Sequence, residues 1–330
     1  MTELALAAFA AESNAHVVSR PRSRRFARFA ACFDSREYLR TLERRGFRFL
    51  ARSDAGFPPL LGAIHDPPAG LFLRGAADLG FLARPAVAVV GARACSAYGS
   101  AVSRMLGREL ASAGLLVVSG LARGVDGEAH RGALEGGGAT VAVLGCGIDR
   151  DYPAAHARLA AEIAESGLVV SEYAPGVEPA PWRFPARNRI VAGLAAVTVV
   201  IEAREGSGAL ITADFALEEG REVLVVPGEI TSSLSAGSNA LLRLGATPLT
   251  RPEDVLELFG LEATVPEAPD VSPVARTVLE RVQDEPRGAD AIGRSTGLGA
   301  GEVAVALAEL ELAGLVSESA GVYRGVRPAG

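Results

Sequence analysis

The chain has 330 residues, with 33 basic residues that are all arginine, 39 acidic residues and a formal net charge of −6. This charge excludes a global basic field for nucleic acid or an anionic membrane, so any anion site has to be local. Hydrophobic residues make up 49%, yet no uncharged apolar run approaches the roughly 18 residues of a membrane span, and we expect a soluble protein. Because lysine is absent, every cationic contact uses a planar guanidinium, and catalysis by a lysine amine is excluded.

Three cysteines, Cys32, Cys95 and Cys146, are too few and too far apart in the sequence for a disulfide framework or a metal site. Such sparse cysteines are typical of a reducing compartment. The N-terminus has an apolar run followed by arginines, which is the reverse of a secretory signal. We therefore expect a cytoplasmic protein with no metal, no cofactor and no membrane partner.

Residues 1–50 are predicted to form a short, helical and basic N-terminal region, with ten arginines against five acidic residues. Arginines alternate with two phenylalanines in a cluster that comprises Arg20, Arg22, Arg24, Arg25, Phe26, Arg28 and Phe29. The cluster has two interpretations: an accessory nucleic-acid surface, or a solvated helix face beside two core phenylalanines. We favour the second, because it is the more common outcome of a charge run.

Residues 51–260 alternate between strand and helix patterns after a proline-rich, extended lead-in at 57–75. Short apolar, β-branched runs predict strands at 86–90, 115–119, 140–144, 168–172, 196–202 and 222–226. Amphipathic patterns predict helices at 98–113, 125–136, 154–166, 187–195, 208–220 and 238–245. This alternation is typical of an α/β fold with a doubly wound, mostly parallel sheet, in which ligands bind at the carboxyl ends of the strands.

Residues 261–272 are acidic and proline-rich, and they predict a linker to a small domain at 273–330. Helical patterns at 273–283, 289–296 and 301–313, followed by a hairpin pattern, predict a winged helix. Its expected recognition helix has no basic residue and carries Glu302, Glu309 and Glu311. Since these charges repel phosphate, we expect contact with a protein or a regulatory role rather than DNA reading.

The first strand pattern, at 86–90, ends in a glycine-containing turn that opens a helix. Gly91 and Gly99 permit close backbone approach, Ser96 offers a hydroxyl, and Arg93 supplies a charged fork for a phosphate. The dinucleotide fingerprint GxGxxG is absent, and no acid ends a second strand to hold a ribose. The alternative is that Gly91 only makes the turn and that Arg93 forms a local ion pair.

The second strand pattern, at 115–119, ends in a similar turn that contains Ser119, Gly120 and Arg123. Ser119 can donate to a phosphate and Gly120 permits close approach, so this turn is expected to supply backbone to the same phosphates. Asp126 is placed to cap the following helix. We interpret Asp126 and His130 as structural, because neither has a catalytic partner nearby in the sequence.

A third stretch, at 182–189, follows the fourth strand pattern and combines arginines with aromatic rings. Its candidate contacts are Arg183, Phe184, Arg187, Asn188 and Arg189. Arginine for phosphates and a ring for a base suit single-stranded nucleic acid, where stacking contributes about 1–3 kcal/mol per base. The alternative is that Phe184 is core and that Arg189 or Asn188 is buried and holds loops together. Ser207 and Gly208, after the fifth strand, are expected to form the floor of the same cleft.

Seven motifs occur in order within residues 52–250: GARACSAYG, SGLARGVDGEAH, LGCGIDRDYP, SEY, FPARNRI, EAREGSGALITA and VVPG. With these motifs the chain closely resembles the DNA processing protein A family (DprA, also called Smf). The resemblance implies an extended Rossmann-like domain that binds single-stranded DNA without a cofactor or catalysis. It implies that Arg93 is the phosphate-binding arginine and Phe184 the base-stacking ring. Backbone and serine contacts are implied at Gly91, Ser96, Ser119 and Gly120.

The resemblance further implies protection of incoming or repair-intermediate DNA and loading of the RecA recombinase, in natural transformation and homologous recombination. The implied partners are single-stranded DNA, RecA, a second copy of the chain and a single-strand-binding protein. Leu241, Leu242 and Leu244 are candidates for the dimer surface, although an ordinary core helix at 238–245 explains them equally well. Many relatives have a lysine where this chain has Pro181, and we hypothesise that Arg183 replaces its charge.

Two other functions remain as alternatives. Related Rossmann-like folds hydrolyse nucleotide N-glycosidic bonds with a glycine-rich loop and a following acid, but the corresponding stretch reads EGSGALIT and lacks both. The second alternative is a protein-interaction scaffold with a vestigial cleft. It predicts that Arg93→Ala and Phe184→Ala leave binding to oligo-dT unchanged.

Overall fold

The computed structural model of the chain describes residues 2–13, 23–138, 140–261, 271–319 and 321–325. The chain divides into two compact units, residues 1–263 and residues 264–330. Arg20, Arg22 and most of the predicted linker lie outside the described residues. Among the helices within the described ranges, none combines the length and the apolarity needed to cross a bilayer.

Three helices form the N-terminal region: α1 (Thr2–Ser13), α2 (Arg24–Cys32) and α3 (Ser35–Arg44). Ser23 and Asp34 are the N-caps of α2 and α3. The Ser23 side chain accepts from the Phe26 N–H, and the Asp34 side chain accepts from the N–H groups of Arg36 and Glu37. Leu4 and Ala7 of α1 and Leu42 of α3 are buried in one cluster with residues of the sheet. The N-terminal helices therefore share a hydrophobic core with the sheet.

A nine-stranded sheet forms the centre of the larger unit, with the strand order β1-β2-β6-β5-β4-β3-β7-β8-β9. The strands are β1 (Arg48–Ala51), β2 (Gly70–Arg74), β3 (Ala86–Val90), β4 (Leu116–Ser119), β5 (Thr140–Val143), β6 (Leu168–Ser171), β7 (Val197–Val200), β8 (Glu222–Val225) and β9 (Thr247–Pro248). Pairs among β3 to β9 are parallel, whereas β1 and β2 add an antiparallel flank beside β6. The central strands are apolar on both faces because helices cover both sides.

Helices of this unit follow the strands, and all of the described ones except two short helices, Pro59–Gly62 and Glu253–Leu256, lie where the alternating pattern predicts helices. They are α4 (Pro59–Gly62), α5 (Ala97–Ser112), α6 (Val125–Glu135), α7 (Ala157–Ser166), α8 (Arg183–Leu194), α9 (Gly208–Glu218), α10 (Ala236–Arg243) and α11 (Glu253–Leu256). Pro185 lies in the first turn of α8, where its missing N–H has no helical partner to lose. The predicted doubly wound α/β fold is confirmed.

The parallel register brings the carboxyl ends of β3, β4 and β7 to one edge of the sheet. Ala88 pairs with Val118 of β4, and Val90 pairs with Val200 of β7. The chain leaves β3 toward β6 on one side and returns to β7 on the other. Such a reversal opens a crevice between the diverging turns, and this is where open α/β sheets bind ligands.

The antiparallel flank was not predicted as sheet. The segment Gly70–Arg74 lies inside the proline-rich lead-in and pairs with both β1 and β6. Leu71, Phe72 and Leu73 are fully buried. The predicted boundary between residues 50 and 51 falls inside β1, so the sheet begins before it.

The smaller unit is a winged helix, as predicted. Its elements are α12 (Pro273–Asp284), β10 (Arg287–Gly288), α13 (Ala289–Thr296), α14 (Ala300–Leu312), β11 (Val316–Ser319) and β12 (Val322–Gly325). Val278, Ile292 and Leu310 from the three helices meet in its core. The outer face of α14 exposes Glu302, Val305 and Leu312.

Candidate nucleic-acid interface

A cleft of about 600 Å³ opens at the carboxyl ends of β3, β4 and β7. The turns after all three strands line it, together with the first residues of α8 and α9. The cleft therefore lies at the strand-order reversal between β3 and β7, where an α/β sheet binds its ligands.

Arg93 and Phe184 meet at this cleft, although they are 91 positions apart in the sequence. The guanidinium carbon of Arg93 lies 5.4 Å from the centre of the Phe184 ring. Arg93 is exposed and Phe184 is half-buried, so both present surface to solvent. The sequence analysis predicted these two residues as phosphate and base contacts, and the structure brings them together.

A second ring, Tyr152, stacks on Phe184 with a centroid distance of 5.2 Å and an interplanar angle of 27°. Tyr152 is 43% exposed and was not singled out in the sequence. Phe184 also packs directly over Gly145, where an added Cβ would lie 2.8 Å from the ring. The cleft therefore has a pair of stacked rings beside an exposed arginine.

Ser96 and Gly99 start α5, and both face the buried Glu202. The Ser96 hydroxyl accepts from the Gly99 N–H, while its own proton and its backbone N–H are donated to the Glu202 carboxylate. A Cβ on Gly99 would lie 2.5 Å from that carboxylate. Glu202 therefore occupies this helix N-terminus in the structure, and the predicted phosphate contact of Ser96 stays a prediction.

Asp126 accepts hydrogen bonds from backbone N–H groups of the second turn, as Glu202 does in the first. Its buried Oδ2 accepts from the N–H of Gly120 at 3.1 Å and of Ala122 at 3.3 Å. It therefore binds the loop before α6, and Gly124, not Asp126, is the N-cap of that helix. The Ser119 hydroxyl donates to Val89 O at 2.7 Å and is fully buried. Asp126 and Val89 therefore already accept from Ser119, Gly120 and Ala122, and the predicted phosphate contacts of Ser119 and Gly120 stay predictions.

Arg187 lines the cleft but is buried, and its guanidinium donates to the carbonyl oxygens of Gly120 and Val143. A Cβ on Gly120 would lie 2.5 Å from this guanidinium, so only glycine fits. Burial raises the pKa of the Asp126 carboxyl, and the Arg187 charge is the largest effect that opposes the rise. In the structure Arg187 thus joins the ends of two strands, and its predicted phosphate contact stays a prediction.

Arg183 and Arg189 are also buried. Arg189 forms an ion pair with the fully buried Glu172 at 2.8 Å and with Asp66 at 3.1 Å. Arg183 donates to Glu178 O and lies over the rings of Tyr173 and Trp182. Internal acceptors and rings surround both charges in the structure, and the predicted phosphate contacts of Arg183 and Arg189 stay predictions. The replacement of a relative's lysine by Arg183 stays a hypothesis.

The remaining predicted residues divide between the floor and the rim. Asn188 donates to Gly208 O at 3.0 Å, and Ser207 and Gly208 line the cleft beside it. The Ser207 hydroxyl is buried and has no hydrogen-bond partner among the described residues. Arg123 is exposed at the end of the second turn, and Gly91 has no room for a side chain against Val125.

Outside the cleft, the three leucines proposed for a dimer surface differ in exposure. Leu241 is buried in the main core, Leu242 packs against it, and Leu244 is 84% exposed. Within the described parts of the chain, no group of three histidine, cysteine or acidic residues could hold a metal ion. His130 is buried against the Thr140 hydroxyl at 2.7 Å, and burial lowers its pKa to about 3.

Two family models match this chain, and together they cover most of residues 48–321. The model described as DNA recombination-mediator protein A matches residues 48–260, and the DprA winged helix domain matches residues 262–321. The chain belongs to the DNA processing protein A family.

Relatives support this membership at substantial identity. Protein Smf of Escherichia coli is 40% identical over 301 residues, covering 87% of this chain and 80% of that protein. DNA processing protein DprA of Streptococcus pneumoniae is 47% identical over 206 residues, covering 62% of this chain and 72% of that protein.

Solved structures of two DprA proteins share the fold. The X-ray structure from S. pneumoniae has a TM-score of 0.67 and 38% identity, covering 78% of this chain and 92% of that one. The structure from Helicobacter pylori, described as giving insight into a unique single-stranded DNA binding mode, has a TM-score of 0.59 and 31% identity. It covers 64% of this chain and 95% of that one.

Proposed function

We propose that this DprA family member binds single-stranded DNA in the cleft between the turns of β3, β4 and β7, without catalysing a reaction. The observation that carries the proposal is the 5.4 Å contact between the exposed Arg93 guanidinium and the Phe184 ring. A charge for a phosphate beside a ring for a base is the arrangement that single strands require. The single-stranded DNA binding mode described for the H. pylori relative supports the same ligand.

Phosphate recognition then depends on side chains at the rim. Glu202 and Asp126 already accept from the backbone N–H groups of Ser96, Gly120 and Ala122, so these three donors are engaged internally. Arg93 and Arg123 are exposed and positively charged, so they are the groups we assign to phosphates. Phe184 and Tyr152 take the bases.

The carboxyl groups that line the cleft support a function without catalysis. Among the described residues that line it, Asp126 is the one carboxylic acid, and it is buried and bonded to two backbone N–H groups. Hydrolysis of an N-glycosidic bond would need a carboxyl group that can reach the substrate. Release of free base from a nucleotide incubated with the protein would contradict this part of the proposal.

We further propose that the protein protects single strands and loads RecA onto them in the cytoplasm. Membership in a family described as a recombination mediator supports this role. The outer face of α14 supports contact with a protein rather than DNA, because it carries the acidic Glu302 beside the exposed apolar Val305 and Leu312, and the helix has no basic residue. The test is RecA filament formation on a strand coated with single-strand-binding protein, with and without the DprA family member.

A homodimer is the proposed working form, with Leu244 at its surface. Leu244 is 84% exposed at the end of α10, so a second copy can reach it and would bury its apolar surface. Sedimentation of Leu244→Glu is expected to give monomers where the unchanged protein gives dimers. Monomers from both proteins would contradict the proposal.

The binding proposal is tested by fluorescence anisotropy with oligo-dT and a duplex of equal length over a salt series. Phe184→Ala is expected to weaken single-strand binding by about 1–3 kcal/mol, because one stacked base loses its ring. Arg93→Ala is expected to lower the slope of log affinity against log salt by about 0.7, the share of one phosphate contact. Duplex affinity is expected to stay low throughout.

The control is Arg158→Ala, which removes one charge from a side chain of α7 that is 92% exposed and paired with Glu162. It is expected to change neither affinity nor salt slope. Unchanged single-strand binding in both cleft variants would favour the scaffold with a vestigial cleft.

A further inference from the structure

We propose that a bound single strand continues beyond the cleft, across the indole of Trp182 and onto an arginine face of α2. We define this face by Arg24, Arg25 and Arg28. The inference rests on the proposed function, because the ligand is the same strand and only its path is extended.

The arginine face has no counter-charge of its own. Helix α2 reads RRFARFAAC and contains no acidic residue. Arg24, Arg25 and Arg28 are exposed, and none forms an ion pair with any described acidic group. In the next helix, by contrast, Arg40 and Arg44 both pair with Glu37 at 3.0 and 3.1 Å. The charges of α2 are therefore available to a polyanion, whereas those of α3 are partly neutralised.

A chain of contacts joins α2 to the cleft. Phe26 of α2 packs against a buried cluster that includes Tyr173 and Val177. The guanidinium of Arg183 lies 5.3 Å from the Tyr173 ring and 4.7 Å from the Trp182 ring. These contacts run through the buried side chains of Tyr173 and Arg183, and they place α2 and Trp182 against the same packed segment, residues 173–183.

Trp182 is suited to stack on a base at this point. It is 41% exposed, and the Arg183 guanidinium holds its ring from one side. An exposed indole offers a large apolar face to a base. Because the Arg183 guanidinium already restrains this ring, base stacking costs the side chain little conformational entropy. Rings alternating with arginines are how proteins track a single strand without reading its sequence.

The phenylalanines of α2 argue against a membrane surface as the ligand of the arginine face. A basic amphipathic helix binds lipid by inserting its apolar side chains. Phe26 and Phe29 are instead engaged with Phe9, each with ring centroids 5.4 Å away. With its apolar side packed against the protein, α2 offers charge alone, which suits a phosphate backbone.

The test compares (dT)6, which occupies only the cleft, with (dT)20, which can reach α2, by anisotropy over a salt series. The variant is Arg24→Gln/Arg25→Gln/Arg28→Gln. For (dT)20 its salt slope is expected to fall by about 2, at about 0.7 per phosphate contact. For (dT)6 the affinity and the slope are expected to stay unchanged.

The matched control is Arg36→Gln/Arg40→Gln/Arg44→Gln, which removes the same number of charges from the adjacent helix. It is expected to leave the (dT)20 slope unchanged. An equal fall in both triple variants would mean general attraction rather than a site, and it would overturn the inference.

Trp182 provides a second readout because it is the only tryptophan of the chain. Its fluorescence is expected to be quenched by (dT)20, and Trp182→Leu is expected to weaken (dT)20 more than (dT)6. Binding of (dT)20 without quenching would overturn the inference. It would also be overturned if the α2 variant lost binding to anionic vesicles while its salt slopes with DNA stayed unchanged. If the unchanged protein fails to bind (dT)6, the cleft function itself is wrong. If it binds (dT)6 and the α2 variant behaves as wild type with (dT)20, only the extension is wrong.

Discussion

Single charged residues near the cleft separate into two groups by their partners. Arg93 and Arg123 are exposed at the ends of turns, whereas Arg187 and Arg189 are buried and bonded to carbonyl oxygens or carboxylates. Removing one partner of a buried ion pair lowers the free energy of unfolding far more than removing one partner of an exposed pair. The buried arginines therefore set the shape of the site, and the exposed ones are available to a ligand.

Arg189→Ala is expected to destabilise the fold by about 3–5 kcal/mol, because it leaves the fully buried Glu172 without its counter-charge. Urea unfolding measures the loss. Arg158→Ala, at an exposed pair, is expected to stay within about 0.5 kcal/mol. The double variant Glu172→Gln/Arg189→Met should recover part of the loss, and equal stability of Arg189→Ala and the unchanged protein would contradict the prediction.

His130 is expected to make stability depend on pH. Its pKa is about 3 in the fold, against about 6.5 in an unfolded chain, so only the unfolded state takes up a proton as the pH falls below 6.5. The stabilisation is therefore complete above pH 6.5 and is lost toward pH 3. Between pH 7.5 and 5 the loss amounts to about 2 kcal/mol.

Urea unfolding at these two pH values measures this effect, and His130→Gln should reduce the difference between them by about 2 kcal/mol. The same substitution at the exposed His65 is the control and should leave the difference as it was. A pH dependence identical in His130→Gln and in the unchanged protein would show that His130 does not contribute.

At the scale of elements, the sequence predicts the parallel core well. Predicted strands at 86–90 and 222–226 agree with Ala86–Val90 and Glu222–Val225 to within one residue, because β-branched runs between glycine turns leave few alternatives. The flank strand Gly70–Arg74 was missed because the prolines around it indicate an irregular segment. Its role as a strand depends on pairing with β6, which is distant in the sequence.

Helix α8 explains why the site was predicted only in part. Residues four apart share a helix face. Phe184 and Asn188 line the cleft and are half-buried, whereas Arg183 and Arg187 are buried, although Arg187 also lines the cleft. Arginine in a helix normally indicates a solvated face. The local sequence does not show that the guanidinium of Arg187 donates to carbonyl oxygens at strand ends, because those residues are distant in the sequence. Tyr152 was missed for a similar reason, because only the fold brings it onto Phe184.

The packing of α5 against α6 depends on glycines. A Cβ on Gly107 would overlap the carbonyl oxygen of Ala129, and one on Gly132 would overlap that of Arg104. Gly107→Ala is therefore expected to destabilise the fold by about 1–3 kcal/mol, as overpacking does. Thermal unfolding measures the effect. Gly62→Ala, whose Cβ would meet only Phe57 at an ordinary 3.7 Å, is the control, and equal effects of both substitutions would contradict the prediction.

At the scale of the whole molecule, all the residues that line the cleft belong to the unit formed by residues 1–263. This unit has its own core, and the winged helix has another. A protein truncated after residue 263 is therefore expected to fold and to bind oligo-dT with unchanged affinity and salt slope. Loss of binding after truncation would show that the winged helix contributes directly to the DNA site.

The sheet of the larger unit ends in β9, an edge strand of two residues that finishes at Pro248. Proline has no N–H to offer a neighbouring chain, and a two-residue edge is too short to template a further strand. A protein that coats single strands would stand at high local concentration, where open sheet edges seed aggregates. Under the proposed function, this short, proline-ended edge would let copies lie side by side on one strand without joining sheet to sheet at this side.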